Sequence, residues 1–192
     1  MADIIGLILA AGRGKRFDPT GARNKLLAPL PDGRAVLRAS CENLMPWVDR
    51  LVVITGTHGA DLRAALADLA IDWVESDRVD LGMGASLKAG VGATHPATGW
   101  LFALGDMPFI APATLRLARD ALRSGAPLTR PECGGQPGHP VACAASLRGA
   151  LLNLPDEAGV GALARRDPAL MSSFAVVDAG SVRDIDVPGD LG

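Results

Sequence analysis

The sequence predicts an α/β fold: a single domain over residues 1–192 with a mostly parallel central sheet and helices on both faces. Apolar runs of strand length alternate with stretches of helical spacing, the signature of βαβ units and parallel pairing. The 192 residues are 48% hydrophobic and 21% charged, enough for one substantial core and short for two. No internal repeat, low-complexity tract or linker divides the chain.

The elements follow in order. Ile4 to Leu9 reads as a buried first strand, and residues 11–33, rich in Gly, Pro and charge, as a long loop. A helix is predicted over 34–46, with Val36, Leu37, Leu44 and Met45 apolar, then a second strand over 50–55. Helical spacing at 61–69 precedes a short third strand at 71–75. A helix over 85–91 leads to a fourth strand over 100–104, which ends at Gly105-Asp106, and another helix is predicted over 112–123. Beyond Pro127 the pattern loosens. Residues 133–140 read as a turn-rich loop, 146–153 and 159–166 as short helices, 174–177 as the last strand, and 183–188 as a closing tail.

Composition excludes several functions. The net charge is -2 and Lys and Arg form no block, so nucleic acid is not the expected partner. No apolar run reaches the roughly 18 to 20 residues that span a bilayer. Met1-Ala2-Asp3 lacks a basic signal-peptide n-region, which predicts a cytoplasmic protein. Cys41, Cys133 and Cys143 form no CxxC pair and read as reduced thiols.

Three segments carry chemistry. In the first, Leu9-Ala10-Ala11-Gly12-Arg13-Gly14-Lys15-Arg16-Phe17 leaves a buried strand where ligands of open α/β sheets sit. Small residues let backbone N–H groups approach a ligand. Arg13, Lys15, Arg16, Arg23 and Lys25 gather five cations opposed only by Asp18, which suits a polyphosphate. Phe17 occupies the third glycine position of a dinucleotide fingerprint, and no Walker string is present. A solvated basic loop is the plain alternative. In the second segment, Leu104-Gly105-Asp106-Met107-Pro108 places a carboxylate at a strand end, where it serves either a turn or a hard cation. In the third, Asp184-Ile185-Asp186-Val187-Pro188 puts two carboxylates on one side of an extended segment, with Ile185 pointing away.

The run Leu9-Ala10-Ala11-Gly12-x-Gly14-x-Arg16-Phe17, followed by Lys25-Leu26-Leu27, resembles the signature loop of the nucleotidyltransferases that act on molybdenum cofactor and on sugar phosphates. The resemblance implies a Rossmann-like nucleotidyltransferase fold. It also implies that Leu9, Ala10, Ala11, Gly12 and Gly14 hold the nucleotide while Arg16 and Lys25 bind its phosphates. The stretch Asp18 to Asn24 is longer than in molybdenum cofactor members and is similar to the sugar-phosphate branch, which leaves Arg23 as a competitor to Lys25. By the same resemblance Asp106 and Asp186 hold Mg²⁺, with Asp184 the weaker candidate, and Val187 stands where Thr is more usual.

Gly82-Met83-Gly84-Ala85-Ser86-Leu87 opens a helix and resembles the segment by which cytidylyl members line the nucleotide pocket. That implies nucleotide contacts for Gly82, Ser86 and the upstream Asp77, although an ordinary capped helix fits the residues equally. Gly135-Gln136-Pro137-Gly138-His139-Pro140-Val141 resembles the family's acceptor loop, implying Gln136 and His139 on the acceptor side, unless His139 only holds its own loop. His58 and His95 read as structural or surface residues, and Trp47, Trp73 and Trp100 as core.

The expected activity is Mg²⁺-dependent transfer from a nucleoside triphosphate, CTP favoured by Leu9-Ala10-Ala11-Gly12, to molybdopterin with release of pyrophosphate. A molybdoenzyme would then receive the product. Transfer of guanylyl or another nucleotidyl group, or to a sugar or alcohol phosphate, remains open. So do an NAD(P)-dependent oxidoreductase and a non-catalytic cofactor carrier.

Overall fold

The computed structural model describes residues 3–12, 14, 16–57 and 59–192. Among these residues eight strands form one sheet: β1 (Ile4–Leu9), β2 (Arg50–Thr55), β3 (Asp72–Glu75), β4 (Gly99–Leu104), β5 (Leu128–Cys133), β6 (Gln136–Pro137), β7 (Val141–Ala144) and β8 (Met171–Ala175). Their order is β3-β2-β1-β4-β7-β5-β6, with β8 paired to β5. The pairings β1 with β2, β1 with β4, β2 with β3 and β5 with β8 are parallel, and β7 runs antiparallel between β4 and β5.

Alternation along the central strands explains the two layers of helices. Ile4 and Ile8 of β1, Leu51 and Val53 of β2, and Leu101 and Ala103 of β4 face one side. There they meet α1 (Val36–Leu44), α2 (Ala60–Ala65) and α4 (Pro112–Arg123). Ile5 and Leu7, Val52 and Ile54, and Trp100 and Phe102 face the other, against α3 (Met83–Ala93), α5 (Arg148–Leu152) and α6 (Gly161–Arg166). Strands buried on both faces read as unbroken apolar runs, which is why β1, β2 and β4 were legible. Helices do cover both faces.

The main departure lies beyond Pro127, where three strands replace an expected loose stretch. Strand β5 holds Leu128 and Thr129 buried but continues Arg130-Pro131-Glu132, polar residues and a proline that hide a strand from any apolar count. Strand β7 is only four residues long. Residues 133–140 turn at Gly134 and Gly135, both at positive φ, but the segment also contains β6.

Other boundaries shift by a few residues. The helix expected at 34–46 ends at Leu44 and passes into a 3-10 turn at Met45–Trp47, where Pro46 removes an N–H. Helix α2 stops at Ala65, and α3 is longer than 85–91. The last strand is 171–175 rather than 174–177, leaving Val177 fully exposed. Trp100 is buried and its indole donates to Thr94 Oγ1 at 2.8 Å. Trp47 and Trp73 are partly buried under Arg119 and Arg63. Cys41 and Cys143 are buried free thiols, their pKa values pushed up to about 12 by burial, and Cys133 is a half-buried free thiol. His95 is exposed, and the expectation for His58 lies outside the described residues. No helix among the described residues is long and apolar enough to cross a membrane.

Candidate active site

Parallel pairing brings the carboxyl ends of β1, β2 and β4 to one edge of the sheet, and the site is assembled there. Gly105 N–H donates to Leu9 O (3.0 Å) and Ser40 Oγ to Gly105 O (3.0 Å), which pins the turn bearing Asp106 beside the end of β1. From the far end of the chain, Ile185 N–H donates to Asp106 O at 2.9 Å and the Ile185 side chain is fully buried. That anchor delivers Asp186 to the same place. Asp190 Oδ2 accepts from the N–H groups of Asp186 (2.9 Å) and Val187 (2.8 Å), fixing the tail's turn.

Lys25 lies between the two acids. Its Nζ is 2.5 Å from Asp106 Oδ2, 3.0 Å from Ile185 O and 3.9 Å from Asp186 Oδ1. Asn24 opens the Lys25–Leu27 3-10 turn by accepting from Leu26 N–H. Gly14, at φ +57, lies so close that a Cβ there would stand 3.3 Å from Lys25 Cγ. Arg16 Nη1 is 2.5 Å from Asp186 Oδ2, while its side chain is 76% exposed and free to turn toward a ligand.

The long loop is ordered by Asp18, which the sequence shows only as an opposing charge. Asp18 accepts from Thr20 Oγ1 (2.7 Å), Thr20 N–H (2.9 Å) and Arg23 N–H (2.8 Å), and these bonds hold its carboxyl below the usual range. The Asp-Pro-Thr order is the available signal, since Asp caps the turn two residues on.

Two clefts meet at the end of β1. Consecutive residues separate them: Ala10 lines the first and Leu9 the second. The first, of about 430 Å³, is bounded by Ala10, Ala11 and Gly12, by Arg23 and Asn24, by Thr55 to Thr57, and by Ser76, Asp77 and Asp80. Thr55, which sequence reading missed, contributes a buried hydroxyl with no hydrogen-bond partner. The second, of about 210 Å³, is bounded by Leu9, Leu87, Phe102, Leu104, Arg130, His139 and Val160. Burial pushes the His139 imidazole below its ordinary pKa, against the opposing pull of the Phe102 backbone and of Asp106 and Asp184.

The structure thus brings together Arg16, Lys25, Asp106 and Asp186, with Gly14 against Lys25, while Leu9 lines the smaller cleft and Ala10, Ala11, Gly12 and Asp77 line the larger. Lys25, not Arg23, meets the acids, and Asp186, not Asp184, joins Asp106 there. Arg13 and Lys15, expected to add cations, lie outside the described residues.

Three of the expected residues lie outside the two cleft linings. Gly82, at φ +131, packs on the backbone of Asp156 and Glu157, and Ala85 N–H donates to Asp156 O at 3.1 Å. The start of α3 is therefore sealed by protein backbone, and Gly82 lines neither cleft. Ser86 is buried (4% exposed) and lines neither; its neighbours Met83 and Leu87 border the second cleft instead. Gln136 is exposed on β6, outside both linings, because its pairing with Cys133 carries it to the sheet margin.

Residues 6–170 match the MobA-like NTP transferase domain. The chain belongs to that family. A structure of Rv0371c from Mycobacterium tuberculosis H37Rv is 31% identical, with a TM-score of 0.83 over 98% of this chain and 95% of that one, and a second structure of Rv0371c is a complex with manganese. A nucleotidyl transferase from Methanothermobacter thermautotroptrophicus is 27% identical, with a TM-score of 0.82 over 98% of this chain and 94% of that one. The bifunctional protein GlmU of Burkholderia ambifaria is 38% identical over 124 residues, 62% of this chain but only 26% of the relative's length. A molybdopterin-guanine dinucleotide biosynthesis protein A from Archaeoglobus fulgidus, at 17% identity and a TM-score of 0.70 over 98% of this chain and 95% of that one, shares the fold alone. This member of the MobA-like family is a nucleotidyltransferase by family and fold.

Among the described residues no three His, Cys, Asp or Glu side chains cluster as a ready-made metal cage. Two carboxylates converging on one ammonium nevertheless fit a hard divalent cation. Mg²⁺ takes one or two protein carboxylates and completes its shell with water and substrate phosphate oxygens.

Proposed function

We propose that this member of the MobA-like family transfers the cytidylyl group of CTP to molybdopterin, releasing pyrophosphate. The observation that carries the reading is the convergence of Asp106 and Asp186 on Lys25 at the sheet edge, beside the strand end where Leu9 borders one cleft and Ala10 the other. Ala10, Ala11, Gly12 and Asp77 would hold the nucleotide in the larger cleft, and His139 would face the acceptor in the smaller. Asp106 and Asp186 would hold Mg²⁺, which when bound draws charge from the phosphates.

The chain's own residues account for the remaining chemistry. An acceptor phosphate is already an anionic nucleophile, so no side-chain base is required. Its oxygen forms a bond to the α-phosphorus as the α–β anhydride bond breaks, and pyrophosphate leaves with the bonding electrons. Holding the two in line and neutralising the leaving charge are the main demands. Lys25, fixed by Ile185 O and both acids, stands ready to neutralise it, and the exposed Arg16 can leave Asp186 for a phosphate oxygen.

CTP is favoured by the resemblance of Leu9-Ala10-Ala11-Gly12 to cytidylyl members, and molybdopterin by the resemblance of the His139 loop and the fold shared with the Archaeoglobus protein. The test is incubation of the purified protein with each labelled nucleoside triphosphate, Mg²⁺ and molybdopterin. Preference for CTP with pyrophosphate release is expected, and preference for GTP would reject the cytidylyl assignment. A second reading, transfer to a sugar or alcohol phosphate, rests on the identity with GlmU and on the long loop between Arg16 and Lys25. Turnover of such a phosphate in preference to molybdopterin would establish it.

A further inference from the structure

Strand β5 carries a cation that the site so far leaves without work. Arg130 lines the smaller cleft, its Nε is buried without a hydrogen-bond partner, and its guanidinium meets no carboxylate among the described residues. Beside it, His139 Nδ1 is also buried without a partner. The remaining wall is apolar, with Leu9, Leu87, Phe102 and Val160. Two buried polar groups without partners in the wall of an otherwise apolar cleft are costly, and they mark this wall as more than packing.

Register says how far this group lies from the reacting centre. Thr129 of β5 pairs with Ala142, and Val141 of β7 pairs with Phe102 of β4, so Arg130 is two strands across from the strand that ends at Asp106. Two strand spacings amount to about 10 Å across the sheet, and Arg130 is also level with Phe102, four residues short of Asp106. A phosphate reacting beside Asp106 and a group bound at Arg130 are therefore different parts of one acceptor.

We infer that Arg130 reads the body of the acceptor, gripping a carbonyl or carboxylate oxygen on a flat portion held away from the reacting phosphate. The inference rests on the reading of the smaller cleft as the acceptor site. The guanidinium supplies a planar fork of donors for such an oxygen, with His139 beside it as a further hydrogen-bonding group. The apolar walls suit a flat ring and give a polyol little to bind. Burial keeps His139 below its ordinary pKa, so at neutral pH Arg130 is the cation of this cleft.

Calorimetric titration without nucleotide tests it, with molybdopterin and inositol 1-phosphate as probes. Wild-type protein should bind molybdopterin, Arg130→Ala should weaken that at least tenfold, and Arg130→Lys should fall between. Inositol 1-phosphate, which has no carbonyl edge, should bind the wild type and Arg130→Ala alike. Thermal unfolding of both variants checks that the sheet is intact, and Arg130→Lys serves if the alanine variant does not fold. Equal molybdopterin affinity in wild type and variants would overturn the inference, as would no molybdopterin binding by the wild type. An equal loss for both probes would overturn it too, by making Arg130 a phosphate anchor. A wild type that binds molybdopterin yet releases no pyrophosphate from any nucleoside triphosphate would instead remove the proposed transferase reading.

Discussion

Lys25 sits 2.5 Å from one carboxylate and 3.9 Å from another, so each acid has a partner whether or not a divalent ion is bound. Asp106→Ala should abolish pyrophosphate release while leaving the fold intact, because Lys25 keeps Ile185 O and Asp186 as partners. Circular dichroism beside a pyrophosphate assay checks both halves. Lys25→Met should cost about 10² to 10³ in kcat, the usual effect of removing one preorganised donor to a developing charge. Retention of near wild-type kcat would remove Lys25 from the chemistry. His139 gives a pH prediction. Its pKa in the folded protein is depressed below the ordinary 6.5, so its neutral form stabilises the fold above that value. This contribution is lost as pH falls from 6.5 toward the folded value. The urea midpoint should therefore drop more steeply between pH 7 and 5 in the wild type than in His139→Gln.

At the scale of elements, the segment 155–158 closes the start of α3 and leads into Gly159–Gly161, which borders the smaller cleft. Asp156 also meets Lys88 (2.5 Å) and Arg78 (3.0 Å), tying α3 to the loop beside the larger cleft. Gly82 combines φ +131 with backbone neighbours 2.7 Å from an added Cβ. Gly82→Ala should cost about 1 to 3 kcal/mol in backbone strain. For a chain of this size that lowers Tm by roughly 3 to 10 °C, readable by calorimetry. An unchanged Tm would mean that α3 is not closed in this way. Elements were legible where burial on both faces left an apolar run, as in β1, β2 and β4. Strand β5 was not, because Arg130, Pro131 and Glu132 carry it through pairing rather than composition, and β7 was not, because its four residues are too short a run to announce a strand.

For the whole molecule, ligand linkage is the available test of a site built from both ends of the chain. CTP with Mg²⁺ at about 100 times its Kd should stabilise the fold by about 2.7 kcal/mol, since it binds only the folded state. That raises Tm by roughly 5 to 10 °C. The shift should shrink in Asp106→Ala, and an equal shift in that variant would exclude Asp106 from the metal-nucleotide site.

The chain order of residues alone determined the α/β class, the cation-rich loop after β1 and the two acidic segments, because apolar periodicity and local motifs are properties of neighbours in sequence. Tertiary structure decided what distance in sequence conceals. It paired Lys25 with Asp106 and set Asp186 beside the same ammonium, contacts between residues 81 or more positions apart that no local pattern shows. It turned the start of α3 onto Asp156, which no local pattern announces. It also set Arg130 in the wall of a cleft two strands from Asp106, through register that single-strand composition does not encode.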